Sequence, residues 1–222
     1  MMLKRTLSLI SLASALAPFT AAGKSSAVRK KDPMSINVHA AARSDHLLRY
    51  GVSLGYTVAK RFELSALMLG GQEALTASLS LPSGMTTAKA TGLTLQGSMN
   101  GRLFLGESFS ILLGAGYRQL KVDYTLSETG TERAATANHM LEDAVGIVGV
   151  GHHWANKGGL NFGVEWGLLS VPFKTQATAA LKTNGLTDDE AAQVDTATSA
   201  DVDKINKAKS FSLGVVTIGF RF

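Results

Sequence analysis

Apolar residues recur at every second position along most of this chain, and that period limits the possible folds more than any other feature. Between residues 48 and 58, each even-numbered position is leucine, tyrosine or valine. The odd-numbered positions between them are Arg49, Gly51, Ser53, Gly55 and Thr57. A period of two is that of a β-strand with one apolar and one polar face, whereas an amphipathic helix repeats every 3.6 residues. The sequence therefore predicts a sheet whose two faces differ in polarity.

The same alternation marks eight segments separated by turn residues. They lie at about residues 34–43, 48–58, 62–68, 93–103, 109–118, 139–154, 160–169 and 211–222. In the fifth segment the pattern slips near Gln119, which predicts a bulge or the end of the buried part of the strand. The sixth segment is apolar on both faces from Val145 to Val150, so the pattern does not assign its sides. In the seventh, Leu168 is predicted to share the apolar face of Trp166, and a very long loop follows Phe173.

Composition places these strands in a membrane. Of the 222 residues, 18% are charged, which is below the roughly 25% typical of soluble domains. The chain nevertheless contains no run of the ~18 apolar residues that a membrane helix needs. Most segments reach the ~9–11 residues with which a tilted strand crosses a bilayer. Because lipid cannot hydrogen-bond an open strand edge, the strands must close into a ring. We therefore expect an all-β fold, an eight-stranded antiparallel transmembrane β-barrel.

A soluble eight-stranded ligand-binding barrel, such as a lipocalin, is the alternative. It would have apolar residues inside, whereas here the polar face carries the small residues that fill a narrow ring. The apolar face carries aromatic residues near the strand ends, as membrane barrels do. They are Tyr50, Tyr56, Tyr117, Trp166, Phe220 and Phe222. Short connections around Lys60, Gly106 and Gly158 alternate with longer ones, which predicts periplasmic turns at one end; Ser44–His46 is a short exception on the other side.

The first 22 residues have the pattern of a secretory signal peptide. Lys4 and Arg5 precede the apolar stretch from Thr6 to Phe19, and small residues follow it up to a cleavage site before Gly23. A buried N-terminal helix is the alternative. Removal of the two basic residues lowers the formal charge from +5 to +3, so we expect no nucleic-acid partner. Residues 23–33 are basic and polar and are predicted to be a flexible lead-in to a barrel spanning 34–222.

The last strand, Val216–Phe222, has an aromatic final residue and apolar residues at every second position before it. It resembles the terminal strand by which the barrel-assembly machinery recognises outer-membrane barrels, with Phe220 and Phe222 as the assembly signal. The mature chain resembles the small eight-stranded barrels of the OmpA, OmpX and OmpW type. The resemblance implies a location in the bacterial outer membrane, and it says little about function.

The order of features in the last third resembles a narrower group, the porin-like barrels of Gram-negative bacteria. Gly158–Leu169 leads through Phe173 and Ala177–Ala179 into an acidic helical segment, then into Ser212–Gly214 and an aromatic end. One member, from predatory bacteria, assembles as a ring of barrels that traps lipid. This resemblance implies a non-enzymatic, porin-like homo-oligomer that holds membrane lipid between its protomers.

Residues 187–207 are predicted to form an extracellular helix between the seventh and eighth strands. Thr187 and Glu190 have the spacing of a capping box, and Asp188 and Asp189 suit the positive end of the helix dipole. One stripe of this helix consists of Ala191, Val194, Val202 and Ile205. The helix either covers its own barrel or packs against a neighbouring protomer.

Six charged residues are predicted to face the lumen as a charge network. They are Arg49, Glu63, Arg102, Arg118, Glu165 and Arg221. Buried charges are costly unless they are paired, so we expect a salt-bridged plug that stabilises the barrel. The alternative is a narrow charged pathway, for which eight strands leave little room.

No catalytic, metal or cofactor site is predicted. Ser44, Asp45 and His46 are consecutive, and adjacent residues cannot align as nucleophile, base and orienting acid. His152 and His153 are strand neighbours that point to opposite faces, so they do not share a metal ion. His39 faces inward and is interpreted as a hydrogen-bonded filler. The absence of cysteine excludes thiol catalysis and cysteine-based zinc sites.

Small residues on the lipid face are candidate protomer contacts. They are Ala40, Ala42, Ala66, Gly70, Gly97 and Gly101. Small residues allow embedded surfaces to approach closely, as between membrane helices. These positions favour a homo-oligomer of plugged barrels with lipid held between the protomers. The alternative is a monomeric barrel that acts as a structural anchor or a narrow channel for small solutes or ions.

Overall fold

The computed structural model describes residues 25–43, 48–75, 77, 79–208 and 211–222. The strands are β1 (Met34–Arg43), β2 (Leu48–Ala59), β3 (Phe62–Ala74), β4 (Met85–Phe104), β5 (Phe109–Glu128), β6 (Ala134–Ala155), β7 (Leu160–Asn184) and β8 (Phe211–Arg221). Two helices complete the described fold, α1 (Ser25–Lys31) and α2 (Asp188–Ala208). None of the described helices is long and apolar enough to span a bilayer. The predicted signal peptide and the Ser44–His46 segment lie outside the described residues.

The eight strands form one closed antiparallel barrel in chain order, so the predicted fold is confirmed. The ring closes between β1 and β8, where Val38 pairs with Ile218 on one side and with Val52 of β2 on the other. Met34 and Phe222 exchange backbone hydrogen bonds of 3.1 and 3.0 Å. We call this end, which also carries the turns 60–61, 105–108 and 156–159, the terminal rim.

The two faces of the barrel have the polarity that a membrane requires. Outward-facing Leu54 is 61% exposed and Met99 65%, whereas their neighbours Ser53 and Asn100 are buried inside. In a soluble barrel this contiguous apolar band would face water. Soluble proteins rarely expose apolar patches of this size. The arrangement is therefore the inverse of the soluble alternative.

Four strands, β4 to β7, are longer than the rest. Part of the way along them, the inward face changes from mainly polar to mainly apolar, and the outward face changes in the opposite sense. In β5 the inward positions beyond Arg118 become apolar, with Leu120, Val122 and Tyr124 fully buried. Pairing is unbroken there, because Gln119 is matched with Leu95 of β4 and Glu142 of β6. The bulge that the sequence predicts near Gln119 is therefore wrong, whereas the alternative, the end of the buried part, agrees with the outward row, which changes there from Tyr117 to Gln119 and Lys121. The strand stays regular while its outer surroundings change. We call the part of β4 to β7 beyond this level the extension; it comprises residues 85–92, 119–128, 134–142 and 174–184.

β7 departs from the sequence prediction in two respects. It continues through the segment after Phe173 as a strand and ends only at Asn184, before Gly185, whose φ of 67° favours glycine. Leu168 turns inward and is 5% exposed, because Val150 pairs with Gly167 while Gly151 pairs with Glu165. The residue between those partners, Trp166, is bulged out, and the bulge exchanges the faces of the following residues.

In β6, which the sequence left unassigned, the odd-numbered residues from Ala135 to Ala155 face the interior and are buried. Val145 and Ile147 therefore line the barrel, whereas Val148 and Val150 face outward. Apolar residues occur on both faces here because the middle of the barrel interior contains an apolar layer.

The predicted helix is present as α2 and packs on the extension of its own barrel. Its capping box is formed, with the Thr187 amide donating to the Glu190 carboxylate at 3.0 Å and the Glu190 amide donating to the Thr187 hydroxyl at 3.3 Å. Val194 and Val202 are buried against the apolar inner surface of β5 and β6. Thr198, one turn from each of them, is also buried. Of the two alternatives for this helix, the structure shows the contact with its own barrel.

The flexible lead-in predicted for residues 23–33 is wrong for Ser25–Lys31, which form α1. Ser25 and Arg29 are buried, although both precede the first strand. Contacts with the turns of the terminal rim hold the helix, and they come from residues 78 to 130 positions away in the chain. A local sequence pattern cannot indicate contacts between residues so far apart in the chain.

Candidate functional site: the barrel interior

The first group of interior charges lies near the terminal rim. Arg102 of β4 forms an ion pair with Glu165 of β7, and its second terminal nitrogen donates to the Ser110 hydroxyl at 3.1 Å. His153 Nε2 of β6 lies 3.4 Å from the same Glu165 oxygen. Side chains from four strands, β4 to β7, thus meet in one cluster inside the barrel. This is possible because alternate residues of every strand point inward.

A second ion pair completes this group. Arg221 of β8 pairs with Glu63 of β3 and donates to the Thr57 hydroxyl of β2 at 2.9 Å. All three side chains are buried. Removing one partner of such a pair leaves a buried charge uncompensated, so the pairs constrain which strands stay together.

Arg118 belongs to a separate group at the level where the extension begins. It pairs with Asp143 of β6, and both side chains are 0% exposed. The Arg118 guanidinium also donates to the Asn206 side-chain oxygen of α2 at 2.6 Å, and the Thr175 hydroxyl donates to Asp143 at 2.7 Å. Sequence reasoning missed Asp143, because it lies on the strand whose faces were not assigned.

Arg49 is buried, and its Nη1 lies 3.4 Å from the Gln96 side-chain oxygen. All six predicted lumen charges therefore point into the barrel. The ion pairs that the structure describes gather four of them at the terminal rim and place Arg118 in a group of its own.

Neutral polar side chains fill the space beside the first group. His39 accepts or donates through both ring nitrogens, to Ser53 at 2.8 Å and to Thr217 at 3.0 Å. Asn37 accepts a hydrogen bond from Asn161 at 2.7 Å. His39 is the hydrogen-bonded filler that the sequence predicts.

An apolar layer separates the polar groups. It consists of Ala41, Leu112, Val145, Ile147, Leu168 and Val215. The cavity between this layer and the rim group has a volume of about 20 Å³. That is room for about one water molecule, so side chains fill this part of the interior.

α1 covers the interior at the terminal rim. The Ser26 amide and hydroxyl each donate to the Glu107 carboxylate at 2.9 Å, and these bonds together with Arg29 lower the pKa of that carboxyl. The Arg29 guanidinium lies 3.7 Å from the centre of the Phe104 ring and donates to the Glu107 carbonyl at 3.0 Å. Stacking and hydrogen bonding together hold a cation that is 1% exposed.

α2 covers the other end through polar contacts along its length. The Tyr124 hydroxyl donates to Asp201 at 2.8 Å, and His139 lies 2.9 Å from the Thr198 hydroxyl. At the start of the helix, Glu190 pairs with Arg133 of the β5–β6 connection. The apolar side chains of the extension lie beneath these contacts, so the helix is part of a packed core.

The described residues include serine–histidine contacts, but no complete catalytic group. Ser53 and His39 are enclosed, and the second ring nitrogen of His39 faces a hydroxyl where a triad has a carboxylate. His152 faces outward and lies 2.9 Å from Ser108, whereas His153 faces inward. Within the described part of the chain, no three histidine or acidic side chains are placed to hold a metal ion.

The outer surface carries the predicted small residues. Ala40 and Ala66 point outward, and Gly70, Gly97 and Gly101 occupy outward positions of β3 and β4. A side chain built at Gly97 would have no neighbour within 4 Å. The side chain of Ala42 lies outside the described part of the structure. Phe220 of β8 and Phe222, which follows that strand, are also exposed.

Comparison with known proteins identifies the fold and no family. No protein-family model and no curated protein sequence matches the chain. The crystal structure of Acinetobacter baumannii CarO2 aligns over 86% of this chain and 98% of its own, with a TM-score of 0.50 and 14% identity. CarO of Acinetobacter baumannii gives 0.48 at 14% identity over the same shares. A major outer membrane protein from Thermus thermophilus gives 0.44 at 13% identity, over 85% and 98% of the two chains. At these identities the likeness to CarO2 concerns the barrel fold alone.

Proposed function

We propose that this chain is a non-enzymatic barrel of the bacterial outer membrane, closed to solutes, whose protomers associate and hold membrane lipid between them. The observation that carries the proposal is the filled interior, where ion pairs and an apolar layer leave a cavity of about 20 Å³. A solute would have to displace charges such as Arg102 and Glu165 that are paired across the barrel. Breaking buried pairs is costly, which favours a structural role over transport.

The outward apolar band and the short turns at the terminal rim support a location in the outer membrane, with the terminal rim in the periplasm. Export through a signal peptide and insertion by the barrel-assembly machinery are parts of the same proposal. Phe220 lies on β8, the strand that closes the ring, and Phe222 follows that strand and exchanges backbone hydrogen bonds with Met34 of β1.

The small outward residues on β3 and β4 support the association of protomers. Ala66 and Gly97 leave little side-chain bulk beside Met68 and Met99, since Met99 pairs with Ala66 and Met68 pairs with Gly97, whereas the Phe62 ring lies against Gly101. A second barrel can approach this surface closely, or an acyl chain can lie on it. Met68 and Met99 are exposed on this surface, so an apolar occupant suits it.

Native mass spectrometry of the detergent-extracted mature protein tests the proposal. We expect a discrete homo-oligomer that retains phospholipid, and we expect Gly97→Leu to reduce it. Gly146→Leu is the matched control, because Gly146 is also an outward glycine with room for a side chain, and it lies on β6, two strands from β4. A bare monomer would remove the oligomer from the proposal and favour a monomeric structural barrel. Ion conductance by the wild-type barrel in planar bilayers would contradict the closed interior and favour a narrow channel.

A further inference from the structure

The upper part of β7 is a long strand with one unpaired edge. β8 pairs with β7 only as far as Leu169, which faces Phe211. From Lys174 to Asn184, β7 pairs with β6 in an unbroken register, and no described strand pairs with its other side. Every residue from Phe173 to Ala180 is exposed. We call Lys174–Thr183 the β7 free edge.

An open edge presents a row of backbone donors and acceptors that can pair with another extended chain. The opposite edge of the extension, which β4 forms, is protected against such pairing. There the free part of β4 runs only from Thr86 to Lys89, and its register with β5 shifts between Thr87 and Lys89. Short length, a bulge and a lysine are the usual protections of an edge. The β7 free edge carries lysines as well, Lys174 and Lys182, but it has neither the short length nor the bulge.

Its side chains indicate the chemistry of an occupant. Lys174 and Lys182 share the outward face, eight residues apart, and no acidic residue lies on that row of β7. On the inner face, Ala177 and Ala179 are exposed although they lie on the same side as α2. A strand added here would meet two cations on one face and uncovered small apolar residues on the other.

We infer that the β7 free edge binds an extended segment of another protein by strand addition, and that this segment carries acidic residues on its outer face and apolar residues on its inner face. A second copy of this chain fits less well. Antiparallel pairing of two β7 edges about Thr178 would place Lys174 opposite Lys182 of the other copy, and like charges in such pairs are destabilising. Two barrels of the same membrane orientation would also bring these strands together parallel. The inference is independent of the closed interior and of protomer association.

A designed peptide tests this inference on the mature protein in detergent. The probe is a fluorescent eleven-residue peptide of alternating valine and threonine with glutamate at its second and tenth positions. The control peptide carries N-methyl groups on alternate residues, which remove backbone donors and keep the charges. We expect the control to bind about tenfold more weakly, since strand addition takes its affinity from main-chain hydrogen bonds.

Charge variants separate pairing from general attraction. Lys174→Glu/Lys182→Glu should weaken binding of the acidic peptide about tenfold, because it replaces two attractive contacts by repulsive ones. The same variant should bind a peptide with lysine at the two glutamate positions. Lys60→Glu/Lys157→Glu, which changes the same charge at the terminal rim, should leave binding unaltered.

Two results would overturn the inference. One is equal binding, or no binding, of the acidic peptide and its N-methylated control. The other is a disulfide-linked dimer of the Thr178→Cys variant in vesicles, which would assign the edge to a second copy. The chain has no cysteine of its own, so such a link would report on position 178 alone.

Discussion

Replacement of Arg102 by methionine should destabilise the folded barrel by about 3–5 kcal/mol, the usual cost of breaking a buried ion pair. Arg102 is 6% exposed, its partner Glu165 is 4% exposed, and both lie inside the apolar band. Methionine keeps most of the volume and removes the charge. Glu165 would then keep the His153 ring as a polar neighbour, with Nε2 3.4 Å from its carboxylate, and the carboxylate would have lost its guanidinium partner.

Urea unfolding in lipid vesicles measures this cost, and the two tryptophans of the chain supply the signal. The control is the double variant Arg102→Met/Glu165→Gln, which leaves no unpaired charge. Replacing both members of a buried pair is often close to neutral, so the double variant should recover most of the loss. The reasoning is refuted if Arg102→Met costs less than about 1 kcal/mol, which is the range of an exposed pair. It is also refuted if the double variant is as unstable as the single one.

The same variant should not open a pore. The apolar layer around Leu112 and Ile147 stays in place on one side of the lost guanidinium, and α1 stays in place on the other. Conductance in planar bilayers should therefore match the wild type. A rise in conductance would mean that the ion pair itself, and not the packing around it, closes the barrel.

Three further predictions concern the two ends of the barrel. Glu107→Gln should loosen α1, because it weakens charge-assisted bonds to the Ser26 backbone and hydroxyl, and trypsin should then cleave within α1 faster than in the wild type. The backbone of Thr187 and the side chain of Arg133 hold the pKa of the Glu190 carboxyl below its ordinary value near 4.5. Its stabilising contribution to α2 is therefore complete above that ordinary value and lost as the pH falls through the lowered one. The hydrogen-exchange protection of α2 amides, measured relative to the intrinsic exchange rate at each pH, should fall in acid, and less so in Glu190→Gln. Leu120→Ala should cost about 2–5 kcal/mol because Leu120 is 0% exposed in the core beneath α2, and a shift in the urea midpoint no larger than that of an exposed substitution would contradict the packing.

The sequence predicts the parts of the fold that depend on local patterns. The period of two locates all eight strands because each strand within the apolar band has one face toward lipid and one toward the interior. The capping residues Thr187 and Glu190 predict the start of α2 for the same local reason. The inward placement of the lumen charges follows from the same alternation.

The sequence does not predict features that depend on distant contacts or on a change of surroundings. At Gln119 the strand does not bend; its environment changes from lipid to water outside and from polar to apolar inside. The ion pair of Arg118 was missed because Asp143 lies in a strand that is apolar on both faces near Val145. α1 was missed because its acceptors, such as Glu107, lie far along the chain. No pattern within seven residues identifies a partner about 80 residues away.

The exchange of polarity along β5 also fixes how deep the molecule sits in its bilayer. Outward-facing Tyr117, Gln119 and Lys121 follow one another across the boundary of the apolar band. A slide by two residues is a displacement of about 7 Å along the strand. Sinking by that amount would draw Lys121 toward hydrocarbon, and rising would bring more of the apolar band into water, so either movement is opposed. When bilayer thickness varies, we therefore expect the surrounding lipid to stretch or compress while the barrel keeps its height.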